Sequence, residues 1–411
     1  MADKTSTEGT KNIFHRPDMA NKIAKQVLHV SPTSASSSGV FLTAPRRTGK
    51  TTFMREDLAP ALTAQGALVI YVDLWEDPKA DPSDVIISAI KAELARHEFA
   101  LKRLAKSFSL GGAKIAGVDF SLDRIGLGKE VSLVQALSAI SDTTKKVIVL
   151  IIDEAQHAIT TSSGSDAMFS LKSARDELNS HQHHGLRVVC TGSNRDKLAM
   201  LRNSKDQAFF GAPLVPFPSL GKDYVAWFCK NSDDLPTPLS VDVVLPLFER
   251  SGSRPEILGA AADELRFDFT LEGHQVTERF SWAVEEQIKA TNDDAMRVIR
   301  SLTPVQSAVL RVLAASGAEY APFESATMER YKIAVRQARD AGVNVEVTAV
   351  QQALLALQEK SLVWRASRGV YAIEDSTLTE LLRQQGLLEG LSGHGEGSDY
   401  TKDFVPQTCA R

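Results

Sequence analysis

Residues that could bind phosphate lie near the beginning of the chain. Residues 40–52 read VFLTAPRRTGKTT, in which an apolar strand leads into the spacing Ala-x-x-x-x-Gly-Lys-Thr and a helix-forming stretch. Backbone N–H groups of such a loop, together with the positive end of the following helix, bind the phosphates of a nucleotide. Lys50 can reach the β- and γ-phosphates, and the Thr51 hydroxyl can be a ligand of Mg²⁺. We expect the loop to face the surface, with the head of Lys50 outside the core.

All residues of this loop are candidates for contact with the nucleotide. They are Ala44, Pro45, Arg46, Arg47, Thr48, Gly49, Lys50, Thr51 and Thr52. Gly49 has no Cβ, so the backbone can close around the phosphates there. The loop begins with Ala44 where glycine is commoner, and alanine is small enough for the pattern.

A pair of carboxylates follows a second apolar run. Residues 146–156 read KVIVLIIDEAQ, and an unbroken β-branched run of this length is typical of a central parallel strand that is buried on both faces. Carboxylates at its C-terminal end lie where open α/β sheets bind ligands. We expect Asp153 to hold Mg²⁺, directly or through water. We expect Glu154 to polarise the water that attacks the γ-phosphate, as a general base.

Two further segments offer polar groups to the γ-phosphate. Residues 186–194, LRVVCTGSN, form an apolar run that ends in small polar residues. If the chain resembles P-loop ATPases that have an extra strand between the two Walker strands, a polar side chain here senses the γ-phosphate, with Asn194 the first choice and Ser193 the second. Residues 252–256, GSRPE, open a helical stretch with proline in its first turn. Arg254 at that helix start could contact the γ-phosphate and report its loss.

These motifs together resemble a known group. PRRTGKT, IIDEAQ, TGSN and GSRPE, in this order, resemble AAA+-type P-loop ATPases of the archaeal-ATPase and STAND-related branch. The general plan is also similar to origin-recognition initiators and transposition ATPases. The resemblance implies an α/β fold with a five-stranded parallel sheet, the sensor strand between the two Walker strands, and a helical lid. It also places residues 14–16 near the adenine. By motif position, it assigns catalytic roles to Lys50, Glu154, Asn194 and Arg254.

One departure from the resemblance concerns hydrolysis between subunits. Ala212 stands near where relatives often carry an arginine that acts across a subunit interface. Arg195 or Arg202 could substitute for it. We therefore expect ATP turnover that is slow or that depends on an oligomer or a partner.

Polar and Gly-rich stretches mark the expected domain boundaries. We expect a disordered N-terminus (1–12), a nucleotide-binding core (13–220) with an inserted hairpin (107–129), a helical lid (221–300), a winged helix (301–385) and a flexible tail (386–411). Within the core, a single helix is expected over residues 85–106.

The predicted winged helix leaves two uses open. Residues 347–360, VTAVQQALLALQEK, form its third helix, and residues 362–373 form a two-stranded wing. In one interpretation the helix enters the major groove of double-stranded DNA, with Gln351 and Gln352 at base edges. Arg365 and Arg368 would then contact the backbone or the minor groove. In the other, the unit packs only against protein, because this helix has few side chains that could neutralise phosphates.

Composition indicates a cytoplasmic globular protein. The chain has 411 residues, 43% of them hydrophobic, and a net charge of −4, which gives no global attraction to nucleic acid or anionic membrane. No segment is expected to span a membrane, and three cysteines without metal spacing argue against a disulfide framework. Two functions remain open. One is an ATP-hydrolysing protein that couples nucleotide state to DNA or a protein partner, with nucleotide-dependent homo-oligomers. The other is a nucleotide-dependent switch or scaffold with slow turnover.

Overall fold

A computed structural model describes residues 13–31, 33–109, 122–180, 182–203, 207–337, 344–367 and 369–391. These residues form two compact units. The first extends through Val298, and the second begins at Ile299. Two short stretches, 365–367 and 375–377, group with the first unit.

The first unit is built on a sheet of five parallel strands. They are β1 (Val40–Thr43), β2 (Leu68–Asp73), β3 (Ile148–Asp153), β4 (Leu186–Gly192) and β5 (Leu214–Pro216). Their order is β2-β3-β4-β1-β5, and every neighbouring pair is parallel. Strand β4 therefore lies between β1, which leads into the phosphate-binding loop, and β3, which ends at the acidic pair. The predicted α/β fold with a five-stranded parallel sheet is confirmed.

Helices cover both faces of this sheet. They are α1 (Pro17–Leu28), α2 (Lys50–Phe53), α3 (Ala59–Ala64), α4 (Pro82–Ala95), α5 (Glu98–Ser109), α6 (Leu133–Thr144), α7 (Ser162–Leu178) and α8 (Arg195–Ala199).

Alternate side chains of β3 enter two different cores, because successive residues of a strand point to opposite faces of the sheet. Ile148, Leu150 and Ile152 lie in the core that α4, α6 and α7 share. Val149 and Ile151 lie in the core on the opposite face, with α1 and α3. All six residues of β3 are buried, as its unbroken apolar run predicts.

The connection between β2 and β3 differs from the prediction. The single helix expected over residues 85–106 is two helices, α4 and α5, with a turn at Arg96 and His97 between them. Both of these side chains bond to the carboxylate of Glu93, at 2.9 and 3.0 Å, and this contact accompanies the end of α4. Of the inserted hairpin predicted at 107–129, residues 110–121 lie outside the described part of the chain. Residues 107–109 end α5, and a short 3₁₀ turn follows at Leu122–Arg124.

Four helices follow where the lid is predicted, and all but the last two residues of the fourth belong to the first unit. They are α9 (Lys222–Lys230), α10 (Val241–Arg250), α11 (Pro255–Arg266) and α12 (Val276–Arg300). Tyr224, Phe228, Phe248 and Phe280 form the aromatic part of their shared core. Helix α11 starts with proline, whose fixed φ and missing N–H suit the first turn of a helix.

Beyond Arg300 the described chain forms three helices, a two-stranded sheet and a further helix, most of which belong to the second unit. They are α13 (Pro304–Ser316), α14 (Ser325–Gln337), α15 (Val347–Glu359), β6 (Val363–Ser367), β7 (Val370–Ile373) and α16 (Ser376–Gln384). Residues 386–391, predicted as the start of a flexible tail, are packed instead. Leu388 and Leu391 are buried, and the buried Arg311 donates to the Leu387 carbonyl over 2.6 Å. Residues 1–12 and 392–411 lie outside the described part. Among the described residues, no helix is long and apolar enough to cross a membrane.

Candidate functional site

The phosphate-binding loop is a tight turn between β1 and α2. Arg47 and Gly49 both have left-handed backbone conformations, with φ of 63° and 77°. Gly49 adopts this conformation without strain because it has no Cβ. The Thr48 hydroxyl donates to the Pro45 carbonyl over 2.8 Å and ties the turn together. The helix that begins at Lys50 continues through a π turn (Met54–Leu58) into α3, so the loop stands at the N-terminus of a helix of several turns.

Lys50 joins the two motifs of the site. Its Nζ lies 2.6 Å from Asp153 Oδ1, 3.0 Å from Glu154 Oε1 and 3.2 Å from the Thr191 hydroxyl. Its side chain is only 4% exposed, so the expectation that its head lies outside the core is wrong. The reason is that the Lys50 ammonium pairs with two carboxylates beneath the loop, those of Asp153 and Glu154. Burial lowers the pKa of Lys50, but these carboxylates outweigh burial and raise that pKa above its usual value.

Asp153 and Thr51 lie together, as the magnesium prediction requires. The Thr51 hydroxyl donates to Asp153 Oδ2 over 2.6 Å, and the hydroxyl of Tyr71 donates to the same oxygen over 3.0 Å. Burial raises the pKa of Asp153, but Lys50 and the neighbouring hydroxyls more than offset it, and the pKa lies at about 2. An ionised carboxylate beside a hydroxyl supplies the oxygen ligands that Mg²⁺ prefers, so these residues fit this cation.

Glu154 is held at the mouth of the site. It has a left-handed backbone conformation, with φ 51° and ψ 42°. Its Oε2 accepts from Gln156 Nε2 over 2.5 Å and from the Ser193 hydroxyl over 2.9 Å. Burial raises the pKa of Glu154, but Lys50 and Gln156 outweigh burial and lower that pKa below its usual value. The carboxylate is therefore ionised at neutral pH, and sequence reasoning missed Gln156 as its partner.

The end of β4 brings hydroxyls rather than the predicted amide to these charges. Thr191 contacts Lys50 and Asp153, and Ser193 contacts Glu154. The side-chain oxygen of Asn194 accepts from the N–H groups of Asp196 and Lys197, so Asn194 caps helix α8. The structure thus brings Ser193, the second choice for the sensor, into contact with Glu154, the candidate general base. The sensor role of Asn194 stays a prediction.

Arg254 lies at the start of α11, where the sequence predicts it. Its Nε donates to the Ser251 carbonyl over 2.9 Å and lies 3.8 Å from Glu256 Oε1. Arg47 of the phosphate-binding loop approaches the same carboxylate oxygen, at 4.0 Å. Lid and loop therefore meet through Glu256, a residue that sequence reasoning did not single out.

A cavity of about 350 Å³ opens beside Gly49 and reaches the lid. Phe14 lines it with Tyr224 and Trp227, at ring-centroid distances of 5.5 and 5.9 Å from them. Asp57 anchors the segment that carries Phe14, because its carboxylate accepts from the Arg16 N–H over 3.1 Å and contacts the His15 ring at 2.8 Å. Aromatic walls next to a phosphate-binding loop suit a nucleobase.

The other predicted positions are distributed around this site. Arg47, Gly49 and Thr52 line the cavity, Ala44 is buried, and Arg46 lies over the Trp75 ring with 5.5 Å from its guanidinium carbon to the ring centroid. Ala212 is fully buried. Whether Arg195 or Arg202 acts across a subunit interface stays a prediction.

Comparison with known families agrees with this geometry. Residues 35–199, which span β1 through α8 and include the loop and the acidic pair, match the family model described as an AAA domain. This stretch of the chain is similar to an AAA domain. The predicted class, a nucleotide-binding P-loop ATPase of AAA type, is confirmed for this part of the chain. No curated protein matches the chain.

Several solved structures are similar to the chain over most of its length. The Walker-type ATPase PABY2304 of Pyrococcus abyssi is 14% identical, with a TM-score of 0.48, over 90% of this chain and 96% of that one. The ADP form of the Aeropyrum pernix ORC2 protein is 14% identical, with a TM-score of 0.49, over 93% and 97%. The Aeropyrum pernix ORC1 protein, solved in complex with DNA, is 16% identical, with a TM-score of 0.40, over 93% and 96%. At these identities and TM-scores, no function is transferred from them.

Proposed function

We propose that the first unit binds ATP with Mg²⁺ in the cavity beside Gly49 and hydrolyses it. The observation that carries this proposal is the convergence of Lys50, Thr51, Asp153 and Glu154. These residues come from two loops about a hundred positions apart and meet within hydrogen-bonding distance. Such a set can bind a phosphate, hold a cation and activate water in one place.

Each residue has a distinct role in this proposal. The backbone of the loop from Ala44 to Thr52 binds the phosphates, and Lys50 leaves the two carboxylates to pair with phosphate oxygens. Thr51 and Asp153 hold Mg²⁺, which neutralises charge on the phosphates when it is bound. Glu154, ionised because Lys50 and Gln156 lower its pKa, accepts a proton from the attacking water.

Two side chains are candidates to report the γ-phosphate. Ser193 contacts Glu154 directly, and Asn194 follows it at the same strand end. Arg254 stands on the lid and would turn from the Ser251 carbonyl toward the nucleotide. A guanidinium at that place is suited to phosphate oxygens.

The test uses two variants that differ in which role they remove. Glu154→Gln keeps the shape of the side chain but removes the base, so ATP should still bind while hydrolysis falls by about a hundredfold or more. Asp153→Asn should weaken Mg²⁺-dependent binding as well. Exposed Glu278→Gln on α12 is the matched control. Normal hydrolysis in both site variants would exclude this strand end as the catalytic one.

We further propose that the second unit is a winged helix through which nucleotide state is coupled to a partner. Support comes from its element order, three helices followed by a two-stranded sheet. On α15, Val350, Leu354 and Leu357 are buried, whereas Gln351 and Gln352 are exposed. Arg365 on β6 is exposed too. This arrangement suits double-stranded DNA as the partner.

A second candidate partner is supported by another observation on the same helix. Val347 and Leu355 are 45% and 55% exposed, and the described helix carries no lysine or arginine. A partly apolar face without basic side chains favours protein contact over phosphate contact, which is the switch or scaffold alternative. The ATPase rate measured against protein concentration, with and without duplex DNA, distinguishes the DNA partner from the protein partner. A steep rise with concentration supports a homo-oligomer, and stimulation by DNA supports the DNA partner.

A further inference from the structure

Tyr71 contacts the candidate cation ligand from a neighbouring strand. It lies on β2 and is paired with Ile151 of β3. Ile151 is two residues before Asp153 on that strand. Its hydroxyl donates to Asp153 Oδ2 over 3.0 Å, and Thr51 donates to the same oxygen from α2. One carboxylate oxygen is therefore held from two elements, a strand and a helix.

Tyr71 is itself held in place by an arginine. The guanidinium carbon of Arg55 lies 4.7 Å from the centroid of the Tyr71 ring. Arg55 Nη2 also donates to Asp73 Oδ2, at the end of β2, over 3.0 Å. Arg55 belongs to the π turn that follows α2, and such turns are frequent at functional sites. The contact thus ties the helix that carries Thr51 to the strand that carries Tyr71.

The other oxygen of Asp153 has a partner that must move. Oδ1 accepts from Lys50 at 2.6 Å, and also from the Glu154 N–H at 3.0 Å and from the Thr191 hydroxyl. When Lys50 turns to the phosphates, the carboxylate loses this donor, and its orientation then depends on the groups that stay. Tyr71 is one of these groups, because the sheet and Arg55 hold it independently of the nucleotide.

We propose that Tyr71 is a positioning residue for the cation. Its hydroxyl holds the Asp153 carboxylate in the orientation in which Asp153 and Thr51 bind Mg²⁺. This inference rests on the proposed ATP-binding function. Hydrogen bonds that orient a metal ligand commonly affect metal affinity by about 10- to 100-fold.

The test is Tyr71→Phe, which removes one oxygen and keeps the ring under Arg55. Affinity for a non-hydrolysable ATP analogue is measured by calorimetry across a Mg²⁺ titration and again in EDTA. The half-saturating Mg²⁺ concentration should rise by about tenfold, while affinity in EDTA stays unchanged. Hydrolysis should recover at high Mg²⁺. Tyr331→Phe is the control, since it also removes a buried tyrosine hydroxyl that is hydrogen-bonded. In this case the partner is the Tyr320 hydroxyl, at 2.5 Å, in the second unit.

Two outcomes would overturn the proposal. One is an unchanged Mg²⁺ midpoint in Tyr71→Phe. The other is an equal loss of affinity with Mg²⁺ and in EDTA, which would make Tyr71 a structural residue of the nucleotide site. A second variant, Arg55→Gln, keeps the hydroxyl and should shift the midpoint in the same direction by a smaller factor. If the wild-type chain itself binds no Mg²⁺-ATP, the proposed function fails, and this result is distinguishable from failure of the Tyr71 role.

Discussion

Replacing Lys50 by methionine should destabilise the nucleotide-free protein as well as weaken nucleotide binding. The methionine keeps much of the side-chain volume but leaves Asp153 and Glu154 without their ammonium partner. Asp153 is 1% and Glu154 14% exposed at the side chain, so water replaces little of what is lost. Removing one partner of a buried ion pair costs about 3–5 kcal/mol. Because hydroxyls and Gln156 remain bonded to the carboxylates, we expect the lower end, about 3 kcal/mol.

The pH dependence of this loss gives a second, independent signature. In the wild type the pKa of Asp153, about 2, lies below its unfolded value of 3.8. This difference contributes about 2 kcal/mol of stability above the unfolded pKa, which is lost as pH falls through the folded pKa. In Lys50→Met, burial and repulsion between the two carboxylates should instead raise their pKa values. The free energy of unfolding of the variant should therefore come closer to that of the wild type as pH is lowered from about 8 to about 5, because the carboxyls become protonated.

Denaturant unfolding followed by tryptophan fluorescence measures both effects. Three of the four tryptophans, Trp75, Trp227 and Trp282, belong to the first unit, so the signal mainly reports that unit. Lys22→Met, on the exposed side of α1, is the control. A deficit below about 1 kcal/mol at neutral pH, or one that does not shrink on acidification, would refute the buried ion-pair reasoning.

Two other predictions concern ligands. Phe14→Ala should raise the Kd for ATP about tenfold and leave the half-saturating Mg²⁺ concentration unchanged, because Phe14 lines the cavity and not the cation site. An unchanged Kd in equilibrium binding would show that this cavity does not bind the base. If the second unit binds duplex DNA, changing both Arg365 and Arg368 to glutamine should weaken binding to all sequences and flatten its salt dependence, as titrations from low salt would show. No binding even at low salt, with Mg²⁺-ATP present, would favour the protein partner.

The parts of the site that depend on local spacing are predictable from the sequence. Lys50 and Thr51 follow from one loop, and Asp153 and Glu154 follow from the end of one apolar strand. Tyr71 and Thr191 were missed because their contacts depend on which strands are neighbours, and strand order is not written in adjacent residues. A signal existed, since Tyr71 places a hydroxyl inside the apolar run of β2.

The choice between two adjacent polar residues shows a similar limit. The sequence analysis ranks Asn194 above Ser193 as a sensor, although asparagine directly before a helix is also a favoured N-terminal cap. In the fold it caps α8, and the Ser193 hydroxyl contacts Glu154. The buried state of Lys50 was missed for another reason. A loop motif alone does not reveal which charges lie beneath it.

The position of β4 between β3 and β1 limits how the chain can change in length. Two strand spacings of roughly 4.8 Å separate the acidic pair from the phosphate-binding loop, and the Lys50 side chain bridges that gap. Thr191 and Ser193 are two residues apart, so both hydroxyls project on one side of the strand end. Deleting one residue earlier in β4 would turn both hydroxyls away together. Insertions among relatives of this chain should therefore accumulate in the surface connections and be absent from β4.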